Sequence, residues 1–303
     1  MKAINTLTMR LKSLMKQLLS PQMLAILQSV RWKMLLTSSR TAKNQVGNVS
    51  TGWRRRIDDV VSSPDNAEIP RCHNAGELDG YTITMHNGVR VSAIGYYGAG
   101  VLNMLIENRG VHEPQEERVF EAIIQLLPED CNMLELGAYW AFYSLSLLQQ
   151  RPNAKCYLVE PEIRNLLSGK TNFRLNKRRG HFTQARVDSN PQDNPKTISV
   201  DSFCAEHGIG HLNILHADIQ GYELAMLDGA REMLSEGKVD FVFISTHSNS
   251  LHNRCLERLL SLGYSILAEV DLDETFSVDG LIVAKHHLLD QPEPIKISRK
   301  AVQ

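Results

Sequence analysis

The spacing of apolar side chains from residue 113 onward alternates between a helical pattern and the pattern of buried strands. Apolar residues return every three or four positions over 116–127, as in an amphipathic helix, whereas 132–136 and 155–159 are short apolar runs. Strands alternating with helices across short connections predict a parallel sheet covered on both faces. The predicted strands are 132–136, 155–159, 182–187, 212–217, 239–245, 265–270 and 281–284, and the later helices are 140–149, 161–175, 200–206, 223–234 and 251–262.

The last two predicted strands, 265–270 and 281–284, follow one another without a helix between them. Both cannot be parallel to the others, so we expect a hairpin at the edge of the sheet, joined through the acidic loop 271–275. Five alternating units closed by such a hairpin are typical of the Rossmann-like class I methyltransferase fold, an α/β fold with a mostly parallel seven-stranded sheet. A dehydrogenase is expected to continue with further strand–helix units or a substrate domain.

An arm rich in lysine and arginine precedes this pattern. Residues 7–36 mix aliphatic and basic side chains at partly helical spacing, which predicts a basic amphipathic helix interrupted near Pro21. Its apolar runs are shorter than the ~20 residues of a bilayer-spanning helix. Three interpretations stay open: a peripheral helix on the inner face of a membrane, an arm in solvent or docked on a partner, and an organellar transit peptide if the source is eukaryotic.

The region between the arm and the α/β pattern has turn-rich composition followed by a short alternating stretch. Residues 81–85 and 89–94 alternate about Asn87-Gly88, a dipeptide that fits the type I′ turn of a β-hairpin. This hairpin region either covers the acceptor site or is purely structural. The predicted organisation is an arm at 1–40, a linker at 41–75, a hairpin region at 76–110, the α/β domain at 111–287 and a tail at 288–303.

Charge is unevenly distributed along the chain. Its net charge is −1, yet residues 1–57 carry 11 of the 33 basic residues and none of the 34 acidic ones. The basic run lacks interleaved aromatic residues and the rest of the chain is acidic, which argues against a nucleic-acid partner. Five scattered cysteines without a C-x-x-C pair are typical of free thiols in a reducing compartment, so a cytoplasmic location is expected.

Two residues at the ends of adjacent predicted strands indicate a ligand site, because open parallel sheets bind ligands beyond the carboxyl ends of their strands. Gly137 follows the first strand and permits a tight turn close to a ligand. Glu160 ends the second strand, where a carboxylate can accept hydrogen bonds from both hydroxyls of a ribose. A nicotinamide cofactor is disfavoured, because one glycine stands where G-x-G-x-x-G needs three and Tyr139, Trp140 and Phe142 crowd the pyrophosphate position.

Several short motifs occur together in the α/β domain. They are Met133-Leu-Glu-Leu-Gly-Ala138 with Tyr143-Ser144, Val159-Glu-Pro161, Asn172 with Asn176, Ile214-Leu-His-Ala-Asp-Ile-Gln-Gly-Tyr-Glu223, and Leu227-Asp-Gly-Ala230. Together they resemble the FkbM family of methyltransferases over about residues 113–285, and Asp-x-x-Gly-x-Glu at 218–223 is the most specific part. The resemblance implies an S-adenosylmethionine-dependent O-methyltransferase that acts on a carbohydrate or small-molecule hydroxyl, in a secondary-metabolite or polysaccharide pathway.

The resemblance also assigns expected roles to individual residues. Asp218 and Glu223 are expected to face the reaction centre. In two places the chain departs from the family: Tyr139 and Ala141 stand where asparagine and glycine are usual, and His216 stands where lysine is common. The residues expected to bind the cofactor are Glu135, Gly137, Ala138, Tyr139, Glu160 and Pro161.

Methyl transfer to a hydroxyl needs a base for the hydroxyl proton, besides alignment of the two reactants. Asp218 and His247 both follow predicted strands and are the candidates, with His216 a weaker third because it shares the face of Asp218 only if the strand continues. The predicted catalytic residues are therefore Asp218, His247 and Glu223. The pair His112-Glu113 is expected either to close over the cofactor or to lie at the surface.

A metal and two other functions stay open as alternatives. Asp218, His247 and Asn249 fall where catechol-type methyltransferases place magnesium ligands, but Mg²⁺ prefers oxygen ligands and a histidine disfavours it. No metal ligand is therefore assigned. The first alternative function is a scaffold that binds the cofactor without turnover, for which Tyr139 and Ala141 argue. The second is a nicotinamide-dependent dehydrogenase.

Overall fold

The structure is a computed structural model that describes residues 21–95 and 98–301, and its first part is helical. Ser38 and Ser50 cap two of these helices by accepting hydrogen bonds from the backbone N–H groups of Thr41 and Trp53, the usual role of serine at a helix start. The interval 41–75 therefore contains capped helices where the composition predicts a linker. The elements are α1 (Pro21–Leu36), α2 (Ser39–Gln45), α3 (Thr51–Ser62) and a 3₁₀ turn (Pro64–Ala67).

Helix α1 begins at Pro21, the position where the predicted arm helix is interrupted. Proline is tolerated at a helix start because its missing N–H has no partner there in any case. The remainder of the predicted arm helix, 7–20, lies outside the described residues. None of the helices formed by 21–95 and 98–301 has the length and apolar character needed to cross a bilayer.

A small antiparallel sheet follows, with β1 (Leu78–Asp79), β2 (Thr82–Thr84) and β3 (Arg90–Ser92) in that order. The predicted hairpin is thus confirmed, but the type I′ turn is wrong. Of Asn87 and Gly88, only Gly88 has a positive φ, 88°. Gly88 N donates to the Met85 carbonyl at 3.0 Å, and Met85 N donates to that of Val89 at 2.8 Å. The loop therefore holds three residues, with glycine in the left-handed position that follows the turn.

A seven-stranded sheet forms the centre of the α/β domain. Its strand order is β12-β13-β11-β10-β4-β5-β6; six strands run parallel and β13 alone is reversed, between β11 and β12. This confirms the predicted α/β class I methyltransferase fold with an antiparallel C-terminal hairpin. The strands are β4 (Asn132–Leu136), β5 (Lys155–Val159), β6 (His181–Thr183), β7 (Arg186–Val187), β8 (Gln192–Asp193), β9 (Lys196–Ile198), β10 (Leu212–Ala217), β11 (Val239–Thr246), β12 (Tyr264–Val270) and β13 (Gly280–His286), where β7, β8 and β9 form a separate small sheet.

Helices cover both faces of the large sheet. Alternate side chains of β4 point to opposite faces: Met133 packs in the same core as Phe120, and Leu134 in the same core as Phe203. The predicted helix 223–234 is broken at Gly229, the poorest helix former after proline. The helices are α4 (Ala99–Glu107), α5 (Pro114–Ile124), α6 (Phe142–Gln150), α7 (Ile163–Leu175), α8 (Val200–His207), α9 (Glu223–Asp228), α10 (Arg231–Ser235) and α11 (Asn249–Ser261).

Asn172 of α7 and Asn176, the residue that follows this helix, fasten the small sheet to the large domain. Asn172 Oδ1 accepts the backbone N–H of Ser92 at 2.8 Å, and Asn176 Oδ1 accepts that of Arg90 at 2.9 Å. Asn176 Nδ2 also donates to the Arg90 carbonyl at 2.6 Å. Asn172 Nδ2 donates to the carbonyl of Trp140, in the loop after β4, at 2.9 Å. The edge strand β3 therefore pairs with amide side chains, and one of them also holds the loop beyond β4.

Candidate functional site

A cavity of about 800 Å³ opens at the carboxyl ends of the central strands. Gly137 after β4, Glu160 after β5 and Asp218 after β10 all form part of its wall. The chain passes from β4 to β5 on one side and later to β10 on the other, so this is the point where strand order reverses. Gln28 and Ser29 of α1 complete the wall. The cavity thus lies where the sequence predicts a ligand site.

The loop after β4 passes closely between its neighbours. The backbone N–H groups of Gly137 and Ala138 both donate to the carbonyl of Val159, at 2.9 and 3.1 Å. Gly137 has a φ of 72°, and a Cβ atom there would lie 1.7 Å from the carbonyl oxygen of Asp218. A side chain cannot be accommodated at that distance, so glycine is required where the two strand ends meet.

The two departures from the family pattern share an uncommon backbone conformation. Tyr139 and Ala141 have φ angles of 39° and 62°, in the left-handed region. Asparagine and glycine, which the family usually places there, adopt this region at little cost, whereas other residues pay roughly 1–2 kcal/mol each. The loop of this chain is therefore left-handed at both positions, although neither residue is asparagine or glycine. Tyr139 lies on the cavity wall, and Ala141 is buried at the start of α6.

Glu160 lies on the cavity wall, where two backbone N–H groups fix its carboxylate. Its Oε2 accepts the backbone N–H of Tyr139 at 3.1 Å, and its Oε1 accepts that of Glu162 at 2.8 Å. The residue is only 4% exposed, and this burial raises the pKa of its carboxyl group. Pro161 lines the cavity. The sequence predicts that Pro161 begins the next helix, but that helix starts at Ile163, because Glu162 takes the capping position. The prediction for Pro161 as first helical residue is thus wrong.

Asp218, His247 and Glu223, the three predicted catalytic residues, form one cluster. His247 Nδ1 lies 2.6 Å from Glu223 Oε1, and His247 Nε2 lies 3.2 Å from Asp218 Oδ1. Asp279 Oδ1 lies 3.4 Å from the same Nε2, and the side-chain amide of Gln220 lies 2.7 Å from it, where its oxygen can accept from a protonated imidazole once the amide is turned over. Asp218 and Gln220 line the cavity, whereas Glu223 is fully buried behind the histidine.

The charges around His247 decide its protonation. Burial lowers the pKa of His247, but hydrogen bonds to Asp218 and Glu223 outweigh this and raise it to about 10. The imidazole is therefore protonated at neutral pH and cannot accept a proton from a hydroxyl. Burial and the nearby charge of Asp218 raise the pKa of Asp279 to about 7. A pKa of about 7 is suited to a base near neutral pH, and Asp279 meets the cavity through Asp218 and Gln220, because its own side chain is not part of the cavity wall.

Asp279 was not among the residues predicted from the sequence. It reaches the cluster through the register of the C-terminal hairpin, in which Thr246 of β11 pairs with Gly280 of β13. In an antiparallel pair, the residue after Thr246 then lies opposite the residue before Gly280, and these are His247 and Asp279. The acidic loop predicted at 271–275 ends before Asp279, and only the pairing register of β11 and β13 brings Asp279 to the site.

Three other candidate residues lie away from the cavity. Glu135 is buried and accepts the backbone N–H of Ser144 at 3.1 Å, so it fastens the start of α6. Ala138 is buried beneath the loop and does not form part of the cavity wall. His216 lies in the core, with its Nε2 2.6 Å from Glu116 Oε1. All three side chains pack or form hydrogen bonds in the core, so the cofactor contacts of Glu135 and Ala138 and the role of His216 as a base stay predictions.

His112-Glu113 and Asn249 also take structural positions. His112 Nδ1 lies 2.6 Å from Glu117 Oε1, and Glu113 Oε2 accepts the hydroxyl of Tyr143 at 2.8 Å, so this pair packs beneath the site. Asn249 Nδ2 donates to Asp273 Oδ2 at 2.8 Å. Within the ranges 21–95 and 98–301, no three His, Cys, Asp or Glu side chains are grouped to hold a metal ion.

Comparison with a protein-family model identifies the chemistry of this domain. Residues 149–266 match the model described as the methyltransferase FkbM domain. The matched segment includes Glu160, Asp218 and His247, while Gly137 and Asp279 lie outside it. The match confirms the resemblance predicted from the motifs over this part of the chain, and the protein is accordingly a methyltransferase. No curated protein sequence matches the chain.

Solved structures with a similar fold include other methyltransferases. One is the precorrin-6y C5,15-methyltransferase from Geobacter metallireducens GS-15, with 14% identity and a TM-score of 0.40 over 56% of this chain and 88% of that one. Another is TrmK of M. capricolum in complex with S-adenosyl-homocysteine, with 14% identity and a TM-score of 0.40 over 57% of this chain and 71% of that one.

Proposed function

We propose that this methyltransferase uses S-adenosylmethionine to methylate a hydroxyl oxygen of a carbohydrate or small-molecule acceptor. The observation that carries the proposal is the FkbM domain match, in a chain whose cavity wall contains both Glu160 and Asp218. The choice of a carbohydrate or small molecule as acceptor follows from the resemblance to that family. A nucleic-acid acceptor is disfavoured because the chain beyond residue 57 is acidic overall.

The residues of the cavity fit this cofactor. Glu160 presents a carboxylate fixed by two backbone N–H groups, which suits a pair of ribose hydroxyls. Pro161, Ile163 and Val187 supply apolar surface beside it for an adenine ring. The volume of about 800 Å³ is in the upper part of the range of roughly 300–1,000 Å³ typical of ligand pockets, which leaves space for an acceptor. When bound, S-adenosylmethionine would supply a methyl group activated by its sulfonium.

The chain itself then has two tasks, orientation and proton removal. The hydroxyl oxygen of the acceptor forms a bond to the methyl carbon while the carbon–sulfur bond breaks, and S-adenosylhomocysteine is the other product. The hydroxyl proton passes to a carboxylate of the cluster, and we assign this role to Asp279, whose pKa burial and the charge of Asp218 raise to about 7. Protonated His247 lies between Asp218 and Asp279 and reduces the repulsion between their charges. His247 is therefore a positioning residue.

Titration calorimetry of the full chain with S-adenosylhomocysteine tests the cofactor and its site. We expect Glu160→Gln to weaken binding at least about tenfold, since hydrogen bonds to a charged group contribute about 1.5–3 kcal/mol. The matched control is Glu257→Gln, at an exposed position of α11, which should bind as the wild type does. Transfer of labelled methyl groups to a panel of saccharides follows. A folded protein without affinity for S-adenosylhomocysteine would contradict the proposal.

We also propose that the protein works at the inner face of a membrane, held there by the arm at 7–36. The exposed apolar side chains of α1 support this position. The basic character of the arm supports it as well, since anionic lipids attract lysine and arginine near the surface.

A further inference from the structure

One side of α1 carries a row of apolar side chains that faces solvent. At about 100° per residue, its members fall within an arc of roughly 100° on the helix surface. Arg31 and Lys33 flank this row, one on each side. A contiguous exposed apolar surface with basic residues at its borders is typical of a helix that lies in a membrane interface. The members of the row, called the α1 stripe, are Met23, Ile26, Leu27, Val30 and Met34, which are 43–69% exposed.

The opposite side of α1 closes the cofactor cavity. Gln28 and Ser29 are part of the cavity wall. Trp32 Nε1 donates to the Arg164 carbonyl at 3.0 Å, and the Arg164 guanidinium lies 5.9 Å from the centre of the Trp32 ring. Leu36 at the end of the helix is fully buried. The docked helix therefore presents the α1 stripe outward while its other side contributes to the ligand site.

The charge of the surrounding chain indicates what the α1 stripe binds. Residues 1–57 carry 11 basic side chains and no acidic one. An anionic lipid surface is complementary to this charge, with a gain of about 1 kcal/mol for each basic residue near the surface. In a symmetric contact through α1, a second copy of the chain would bring the same positive charge, which repels. The observations thus favour an anionic bilayer over self-association.

We propose that the α1 stripe binds an anionic bilayer and that this binding strengthens cofactor binding in the cavity. The coupling rests on the proposed function, since it assumes that the cavity is the S-adenosylmethionine site. The same docked position of α1 serves both ligands: lipid contacts one side of the helix and the cavity ligand contacts the other. Each ligand therefore stabilises the conformation that the other one needs, and the coupling is reciprocal.

Two measurements on the full chain test the coupling. Flotation with vesicles of phosphatidylcholine and phosphatidylglycerol at 3:1, against pure phosphatidylcholine, reports lipid binding. Calorimetry with S-adenosylhomocysteine, with and without the same vesicles, reports the cavity. The test variant is Ile26→Asp in the α1 stripe, and the matched control is Leu260→Asp on α11, where leucine is 57% exposed. Neither residue forms part of the cavity wall.

We expect the wild type and Leu260→Asp to float with the anionic vesicles only and to bind S-adenosylhomocysteine about fivefold or more tightly in their presence. Ile26→Asp should lose both effects while its affinity without vesicles stays that of the wild type. Flotation with unchanged affinity for S-adenosylhomocysteine overturns the coupling. Absence of flotation overturns the proposal, as does a dimer in sedimentation that Ile26→Asp dissociates. If S-adenosylhomocysteine does not bind even without vesicles, the proposed function fails, and flotation still reports the lipid surface separately.

Discussion

Two groups of side chains in this protein place histidines between carboxylates, and they differ in what surrounds them. The rim cluster consists of Asp218, Gln220, Glu223, His247 and Asp279, and it meets the cavity through Asp218 and Gln220. The core cluster lies between α5 and the central strands, sealed by aromatic rings. Its members are His86, His112, Glu113, Glu116, Glu117 and His216.

In the core cluster, Glu117 has enough partners to keep its charge, whereas burial raises the pKa of Glu116 despite its contact with His216. Glu117 Oε1 accepts the backbone N–H groups of His112 and Glu113 at 2.7 and 2.9 Å, and Glu117 Oε2 lies 3.1 Å from His86 Nε2. Burial opposes ionisation of Glu117, but His112 and His86 outweigh it and hold the pKa of Glu117 well below its usual range. The charge of Glu117 is therefore fixed, and its role is structural.

In the rim cluster, His247 is the one histidine in contact with three carboxylates. Asp279 has only the more distant contact with His247, at 3.4 Å, and it faces the charge of Asp218. Its pKa of about 7 follows from burial with too little compensation. Glu117 and Asp279 thus differ in the number of cationic and N–H partners. A buried carboxylate with several such partners stays ionised, whereas one with few can exchange a proton near neutral pH.

The largest effect should come from the core cluster. Glu117→Gln removes the charge that His112 and His86 face, and breaking a buried ion pair costs about 3–5 kcal/mol. We expect the free energy of unfolding, measured by urea denaturation, to fall by that amount. The exposed Glu257→Gln is the control and should change it by less than about 0.5 kcal/mol. A loss below about 1 kcal/mol for Glu117→Gln would show that the core charges are not coupled as described.

At the rim, the same type of substitution should affect catalysis and leave stability intact. Asp279→Asn removes the proposed proton acceptor, so kcat should fall about 100-fold, the lower end of the range for general-base catalysis. Stability should stay the same or rise, because repulsion with Asp218 is relieved. Initial rates and thermal unfolding measure the two effects. The control is the exposed Asp273→Asn on the same loop; if both variants lose activity equally, Asp279 has no special role.

The two clusters should also separate in their response to pH. Asp279 is protonated below its pKa of about 7 and cannot then accept a proton, so kcat/KM should fall about tenfold for each pH unit below 7. Asp279→Asn should remove this dependence. Rate profiles between pH 5 and 9 provide the measurement, and an unchanged profile in the variant would assign the ionisation to another group.

Stability should follow the protonated histidines over a different pH interval, and a substitution of His112 isolates the contribution of the core cluster. Burial lowers the pKa of His112, but Glu113 and Glu117 outweigh this and raise it to about 10. A histidine with a raised folded pKa stabilises fully below its unfolded pKa of about 6.5, and this stabilisation disappears as the pH rises to about 10. The free energy of unfolding should therefore decline from pH 7 to 10 in the wild type and decline less in His112→Gln. Equal slopes would contradict the protonated state of His112.

The smallest effect concerns the loop between the two clusters. Ala141→Gly relieves a left-handed residue that costs roughly 1 kcal/mol, although glycine gains more freedom in the unfolded chain. We expect a net stabilisation of about 0.5 kcal/mol, measured as a rise in Tm. Ala138→Gly is the control: its φ is not positive, so it should destabilise. A drop in Tm for both variants would mean that the strain at Ala141 is compensated elsewhere.

Sequence patterns predicted the parts of this protein that depend on local spacing. Strands 132–136, 155–159 and 212–217 were predicted to the residue, because each is a compact apolar run between polar or turn-forming neighbours. The helices at 39–45 and 51–62 were not predicted, because their polar composition resembles that of a linker. The hydrogen bonds of their capping residues are evident only in the structure. In such short helices, packing against the rest of the protein outweighs composition.

For the site residues, too, local spacing was predictive and long-range packing was not. The position of Gly137, Glu160 and Asp218 on the cavity wall could be predicted, because each directly follows a strand of the parallel sheet. The role of Asp279 depends on the register of an antiparallel pair, and the charge of His247 depends on carboxylates from separate segments. Glu135 and His216 precede strand ends in sequence, yet their side chains enter the core. Spacing along the chain does not specify such long-range distances.

The asparagine contacts of β3 have a consequence for how the protein behaves among its own copies. An edge strand normally presents unpaired N–H and carbonyl groups, and a second chain can add to it as an extra strand. Asn172 and Asn176 already occupy the backbone N–H groups of Ser92 and Arg90 and the Arg90 carbonyl. The small sheet is thus closed to strand addition on this side. Two amide side chains protect the protein against aggregation through this edge.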